Sequence, residues 1–241
     1  MPRYLSAETI EAIASRVLRA YAKLPEVQEN GFYYVVPNEL VHTLLGLTVE
    51  FRHLSEDGDI LGLTCFDELG IELPGTDEWF YFDGKTVLIE EDLLKDDMQY
   101  GRRGFTIVHE GCHHILKMLY PEDYAGGINM RRVIYFRNGG TQGSSREEHQ
   151  VNALTAAVLM PEFLIRQGMK MVGLKGRIDI LHSVWRKDEY DKFCSLAYLL
   201  GVSKQALSIR MRQLGLLGRD FLKNPGSILD ILVEEGEKYD F

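Results

Sequence analysis

Gly104-Phe-Thr-Ile-Val-His109-Glu110-Gly-Cys-His113-His-Ile-Leu-Lys-Met-Leu-Tyr120 carries an HExxH pattern inside one run of helical periodicity. Residues four apart stack on one face of a helix, so His109 and His113 can each offer an imidazole nitrogen to a single metal ion at about 2.0–2.1 Å. Glu110 lies about 100° round the helix, beside the metal and not on it. From there a carboxylate can take a proton from a water whose pKa zinc lowers to about 7, which is metallopeptidase chemistry. Val108, Cys112, Ile115 and Leu119 recur at helical spacing as an apolar stripe for the core. Thr106, His109 and His113 fall on a different face, expected to look into a cleft. His114 points away from His113, next to Ile107, and reads as a packed or exposed residue.

Upstream of this helix, Ser6 is placed to cap a helix over residues 7 to 23 that Pro25 closes, and residues 39 to 46 read as a short second helix. Val49 and Phe51 alternate with polar neighbours, and residues 60 to 66 have β character. Residues 79 to 82 and 85 to 89 flank Asp83-Gly84, a two-residue hairpin signal. A small antiparallel sheet is therefore expected before the HExxH helix, and a free strand edge beside a metal cleft would hold an extended peptide by main-chain hydrogen bonds. His42 and His53 stand alone among apolar or basic neighbours and are not expected to bind metal.

Downstream, residues 121 to 143 are rich in turn formers and basic, with Arg131, Arg132 and Arg137 around the apolar piece Val133-Ile-Tyr-Phe136. A Tyr or Arg here could steady a tetrahedral oxyanion, although a solvated loop is the simpler expectation. Ser144-Ser-Arg-Glu147-Glu148-His149-Gln-Val-Asn152 then opens a helix that Met160-Pro161 stops. A catalytic zinc site needs a third ligand and one open position. A further His six residues after His113 is excluded, because Leu119 stands there. His149 should face solvent. Periodicity does not separate Glu147 from Glu148, but Glu147 can close a capping box with Ser144, whereas Glu148 has Asn152 at i+4 on its own face. Spacing and capping favour Glu148.

The pairing of His109-Glu110-Gly-Cys-His113 with Glu148-His-Gln-Val-Asn152-Ala-Leu-Thr-Ala-Ala-Val-Leu-Met160-Pro161 resembles the ImmA/IrrE family of cytoplasmic metallopeptidases. That family follows HExxH with a helix of the form E-x-x-A-N-x-F-A-A-x-L-L-M-P, whose first Glu is the third metal ligand; counted back from Met160-Pro161, it falls on Glu148 and the Asn on Asn152. Val151, Leu154 and Thr155 depart from the pattern at packing positions. The resemblance extends to Leu200-Gly201-Val-Ser203-Lys-Gln-Ala-Leu-Ser-Ile-Arg210-Met-Arg212-Gln-Leu-Gly215, which is similar to the helix-turn-helix-like segment that often follows the peptidase core. It implies a zincin-like α+β core over residues 1 to 175 and an all-helical subdomain over 176 to 241. It further implies one zinc ion per chain on His109, His113 and Glu148, Glu110 as general base, and a protein substrate, a helix-turn-helix transcriptional repressor.

Residues 192 to 219 contain Lys192, Lys204, Arg210, Arg212 and Arg219 and no acid, the local excess expected of a DNA reader. Against this stand an outward face carrying Ile209 among Gln205, Arg212 and Gln213, and a net charge of −9 from 27 Lys and Arg against 36 Asp and Glu. A packing or partner-docking role is expected ahead of direct DNA contact. The last stretch, residues 227 to 233, reads as a short amphipathic helix. No apolar run approaches the length of a membrane span, and the amino-terminal residues lack the pattern of a signal peptide, so a cytoplasmic protein is expected. Three scattered cysteines give neither a disulfide framework nor a thiolate metal site. The rival from another class is a DNA- or protein-binding regulator whose metal site is structural or vestigial.

Overall fold

A computed structural model of the chain describes residues 4–73, 76–95, 99–124, 132–136 and 145–223. The loop over residues 137 to 143, Arg131, Arg137, Ser144 and the expected helix over 227 to 233 lie outside the described residues. The chain divides into two compact units, Met1–Pro161 and Glu162–Phe241.

In the first unit, Ser6 Oγ accepts the Thr9 N–H at 3.2 Å and starts α1 (Ala7–Tyr21), which buries Ile10, Ile13, Ala14 and Leu18. Leu24 and Pro25 set the entry to α2 (Pro25–Asn30), and the short helix expected near residue 40 is a π-helical turn, Glu39–Leu44. Strands β1 (Thr48–Arg52), β2 (Ile60–Cys65), β3 (Glu68–Glu72), β4 (Trp79–Asp83) and β5 (Thr86–Glu90) follow. After α3 (Asp92–Lys95) come the long helix α4 (Tyr100–Leu119), a 3₁₀ turn Pro121–Tyr124, β6 (Arg132–Phe136) and α5 (Ser145–Leu159).

The sheet corrects two expectations. It is mixed and not antiparallel: its order is β1-β5-β2-β6, with β1 parallel to β5 and the other two pairs antiparallel. Asp83-Gly84 does turn the chain, with Gly84 at φ +75 and Asp83 Oδ1 accepting the Lys85 N–H at 2.8 Å, but β4 and β5 do not pair across it. The reason is burial. All five residues of β5 are buried, as a strand covered on both faces requires, whereas β4 alternates and pairs with β3 in a separate two-stranded ribbon.

The sheet thus has a helix on one face and the ribbon on the other. Gly62 of β2 lies against Glu110, and Thr64 Oγ1 is 2.7 Å from His114 Nε2, so these alternate residues face α4. Leu63 and Cys65 point the opposite way and join Leu88, Ile134, Ile71, Leu73 and Phe82 in one apolar cluster beneath the ribbon. Helix α5 packs on α4, and α1 packs on α5. Val151 and Leu154 are fully buried in α5, and Thr155 meets the Cys112 thiol, so the three departures from the family pattern are core positions.

The second unit holds α6 (Glu162–Met171), β7 (Ile178–Leu181), α7 (Lys187–Leu200), α8 (Lys204–Gln213) and β8 (Leu217–Asp220). It is therefore not all-helical: β7 and β8 form a parallel pair, which Gly218 permits because a Cβ there would collide with the Asp179 carbonyl. Helix α6, grouped by sequence with the first domain, packs on α7, and Gly168 allows the close approach, since its Cβ would be 2.6 Å from Leu196 Cδ1. Gly201 in the left-handed region ends α7, and Ser203 Oγ accepts the Ala206 N–H at 3.1 Å to start α8. No described helix is long and apolar enough to cross a membrane.

Candidate metal centre

Helix α4 supplies the first half of the site. His109, Glu110 and His113 are all fully buried, so the face expected to border a cleft is enclosed. Gly111 brings α4 close to the π-helical turn, since a Cβ there would be 3.0 Å from Val41 Cγ2. His109 Nε2 and His113 Nε2 converge to 3.2 Å, the arrangement that i,i+4 spacing allows. His114 is half-buried; burial and its cationic neighbours push it down to about 4, and its ring meets Phe66 edge-on at 5.2 Å.

Helix α5 supplies the second half. Glu148 Oε2 lies 3.1 Å from His109 Nε2, and Glu148 Oε1 lies 3.3 Å from His113 Nε2. The two imidazole nitrogens and the two Glu148 oxygens therefore gather together, each nitrogen 3.1 or 3.3 Å from one oxygen and the nitrogens 3.2 Å apart. Donors placed tetrahedrally about zinc at about 2.0–2.1 Å would be about 3.3 Å apart, so the separation of the two imidazole nitrogens and the mix of nitrogen and carboxylate donors suit such an ion. His109, His113 and Glu148 are compatible with a metal site.

The electrostatics agree with a site built for a cation. Burial alone would raise the Glu148 carboxyl, but hydrogen bonds and charge from His109 and His113 hold it well below the ordinary carboxylate range. Burial pushes His109 down, while at His113 the same penalty is overcome by hydrogen bonds to Glu147 and Glu148, lifting it to about 10. The pocket thus favours an anionic carboxylate and positive charge among its donors.

Glu147 is buried, with Oε1 3.6 Å from His113 Nδ1, on the ring edge away from Glu148; Ser144, the expected partner of its capping box, lies outside the described residues. Asn152 is a hydrogen-bond partner of His109. Each imidazole is thus oriented by an α5 side chain, an arrangement that fixes ring rotation in metal centres. His149 is exposed, as its helical position indicated.

Glu110 stands apart. It makes no donor contact with the cluster, and both carboxyl oxygens are buried without a hydrogen-bond partner among the described residues. An unpaired buried carboxylate costs several kcal/mol, and burial raises this one to about 8, with Glu148 adding and His113 opposing. Its oxygen occupies the space in which a Gly62 side chain would stand. Gly62 was not singled out from the sequence, although a glycine inside a β-type run is a signal for close approach.

A second grouping, His53, Glu90 and Asp92, lies at the end of β5. There Glu90 Oε2 accepts the Leu54 N–H at 2.8 Å and Oε1 accepts the Asp92 N–H at 3.1 Å, so the carboxylate is committed to the backbone. His42 Nδ1 is 3.1 Å from the Leu47 carbonyl and has no part in either group. Comparison with protein-family models and with curated proteins yields no match to the chain.

Proposed function

We propose that the chain is a zinc-dependent endopeptidase with a zincin-like core, in which His109, His113 and Glu148 hold the metal and Glu110 is the general base. The observation that carries this reading is the pairing of a cluster of three donor residues with an adjacent carboxyl group, Glu110, that has no hydrogen-bond partner among the described residues. Zinc at that cluster supplies Lewis acidity, lowering the pKa of water to about 7 and polarising a carbonyl. Glu110 accepts the proton of the attacking water and returns it to the amide nitrogen as the C–N bond breaks. Its apolar surroundings favour this role, since a carboxyl with a raised pKa gives up and takes protons near neutral pH. Glu147 and Asn152 keep the imidazoles turned toward the cluster. The resemblance of the HExxH and Glu148 helices to ImmA/IrrE proteins supports a helix-turn-helix repressor as substrate and a cytoplasmic setting.

The decisive variant is Glu110→Gln. It should keep zinc content and fold while turnover falls by about 10²- to 10⁴-fold. Wild type and variant, expressed in the native host under an inducing stress, would be compared for a repressor fragment present with the wild type alone. Normal induction by zinc-loaded Glu110→Gln protein would remove proteolysis from the account. The rival reading, a structural centre in a binding protein, is favoured by one observation: the donors are fully enclosed, as in closed structural sites. A structural centre has no use for Glu110, so the same variant separates the two.

A further inference from the structure

The β3–β4 ribbon covers the sheet with one face and presents the other to solvent. Ile71 and Phe82 of the inner face are buried, with Leu69 and Phe80 partly so. On the outer face Trp79 is 60% and Tyr81 77% exposed. Tyr81 sits opposite Gly70, and its ring lies so close over that glycine that a Cβ there would be 2.8 Å from Tyr81 Cε1. One side of the ring is thus held against the ribbon, fixing it as a platform, a known use of a glycine facing an aromatic residue across strands.

Acids frame the platform. Glu72 lies opposite Trp79, and Glu68 lies directly opposite Asp83. Like charges at opposed positions destabilise a sheet, and of the two only Asp83 has a role in the turn, where its Oδ1 accepts the Lys85 N–H. Residues 67 to 83 contain six acids and no Lys or Arg. At the entry to the ribbon and on its inner face the chain supplies its own cations. Lys117 Nζ lies 4.9 Å from the Phe66 ring centroid and 3.5 Å from Asp67 Oδ1, and the Arg52 guanidinium carbon is 5.9 Å from the Phe80 centroid. The outer face repeats this chemistry, aromatic rings flanked by carboxylates, toward solvent.

We propose that the outer face of the β3–β4 ribbon docks an arginine-rich segment of the protein substrate, with guanidinium groups stacking on Trp79 and Tyr81 and pairing with Glu68, Glu72 and Asp83. Arginine fits better than lysine, because a planar guanidinium can stack on a ring and pair with a carboxylate at once. The proposal rests on the endopeptidase reading only in calling the partner a substrate. The surface belongs to the sheet face opposite α4, so it anchors the substrate and takes no part in the chemistry.

The test uses the full chain and an amidated Arg-Gly repeat peptide, with Lys-Gly and Glu-Gly repeats as comparisons. The protein holds two tryptophans, so in a Trp185→Phe background Trp79 fluorescence reports on the face directly, with calorimetry for variants that lack it. The Arg peptide should bind, weaken with salt, and exceed the Lys peptide in affinity. Trp79→Ala/Tyr81→Ala and Glu68→Gln/Glu72→Gln should each weaken it at least about 10-fold, and the second should also flatten the salt dependence. Glu110→Gln should bind as wild type. Unchanged affinity in the aromatic double variant, or no binding of the Arg peptide, overturns the proposal, as does a self-association that this variant abolishes in sedimentation. Arg-peptide binding that needs Trp79 and Tyr81, in a protein without proteolytic activity, would sustain the surface and remove the endopeptidase reading. Proteolysis indifferent to Trp79→Ala/Tyr81→Ala would do the reverse.

Discussion

Gly62 matters for the space it leaves. A Cβ at this position would strike Glu110 Oε1 and come within 3.0 Å of Thr106 Cγ2. The struck atom is the end of a flexible side chain, so Gly62→Ala should be accommodated by moving the carboxyl at a cost of about 1 kcal/mol in off-rotamer strain. The fold and metal affinity should survive, while turnover falls about 10²-fold, the effect expected of a catalytic group misplaced by about 1 Å. Zinc content, melting temperature and turnover measured on one preparation check this, and full activity would show that Glu110 works from another position. His109, Glu110 and His113 were legible because their relation is set within one helix. Gly62 was not, because its role exists only once β2 lies against α4. The nearness of Glu147 to His113 was not legible for a similar reason: it joins side chains of two helices, and no local rule pairs them.

At the scale of elements, α5 supplies Glu148 to the cluster and Glu147 and Asn152 to the imidazoles behind it. Glu148→Ala should therefore lose most of the zinc, whereas Glu147→Gln, which keeps the size but not the charge, should weaken binding about 10- to 100-fold. Equal retention in the two, measured by competition with a chromophoric chelator, would refute this division of roles. Helix α8 carries the opposite lesson. Its basic residues looked available in the sequence, but Arg210 is buried, Arg212 lies 3.4 Å from Asp220, and Lys204 Nζ is 3.3 Å from the Tyr190 hydroxyl. Charge reversal at Lys204 and Arg212 should leave any DNA affinity and its salt slope unchanged; a slope reduced by about 0.9 per residue would establish phosphate contacts. The absent β4–β5 hairpin shows where turn chemistry runs out. Asp83-Gly84 specified a turn correctly, but pairing followed burial: a strand buried along its whole length was drawn between β1 and β2.

For the molecule as a whole, a ligand that binds only the folded state adds stability by mass action. Zinc at about 100 to 1,000 times its dissociation constant should add about 2.7 to 4.1 kcal/mol to the unit containing α4 and α5. Calorimetry should show that unit's transition rise with zinc and fall with chelator, and His113→Ala should remove the response. A transition indifferent to zinc would mean that the donors do not meet a metal in the folded chain. Complete enclosure of His109, Glu110 and His113 has a kinetic corollary. An ion among them can leave only when the surrounding structure parts, so stripping by a chelator should speed up with chelator concentration and then level off at the rate of that opening. A polypeptide bound for Glu110 must pass through an opening too, so the plateau gives the clock against which turnover should be set: if the same parting serves both, no cleavage cycle runs faster than the ion escapes.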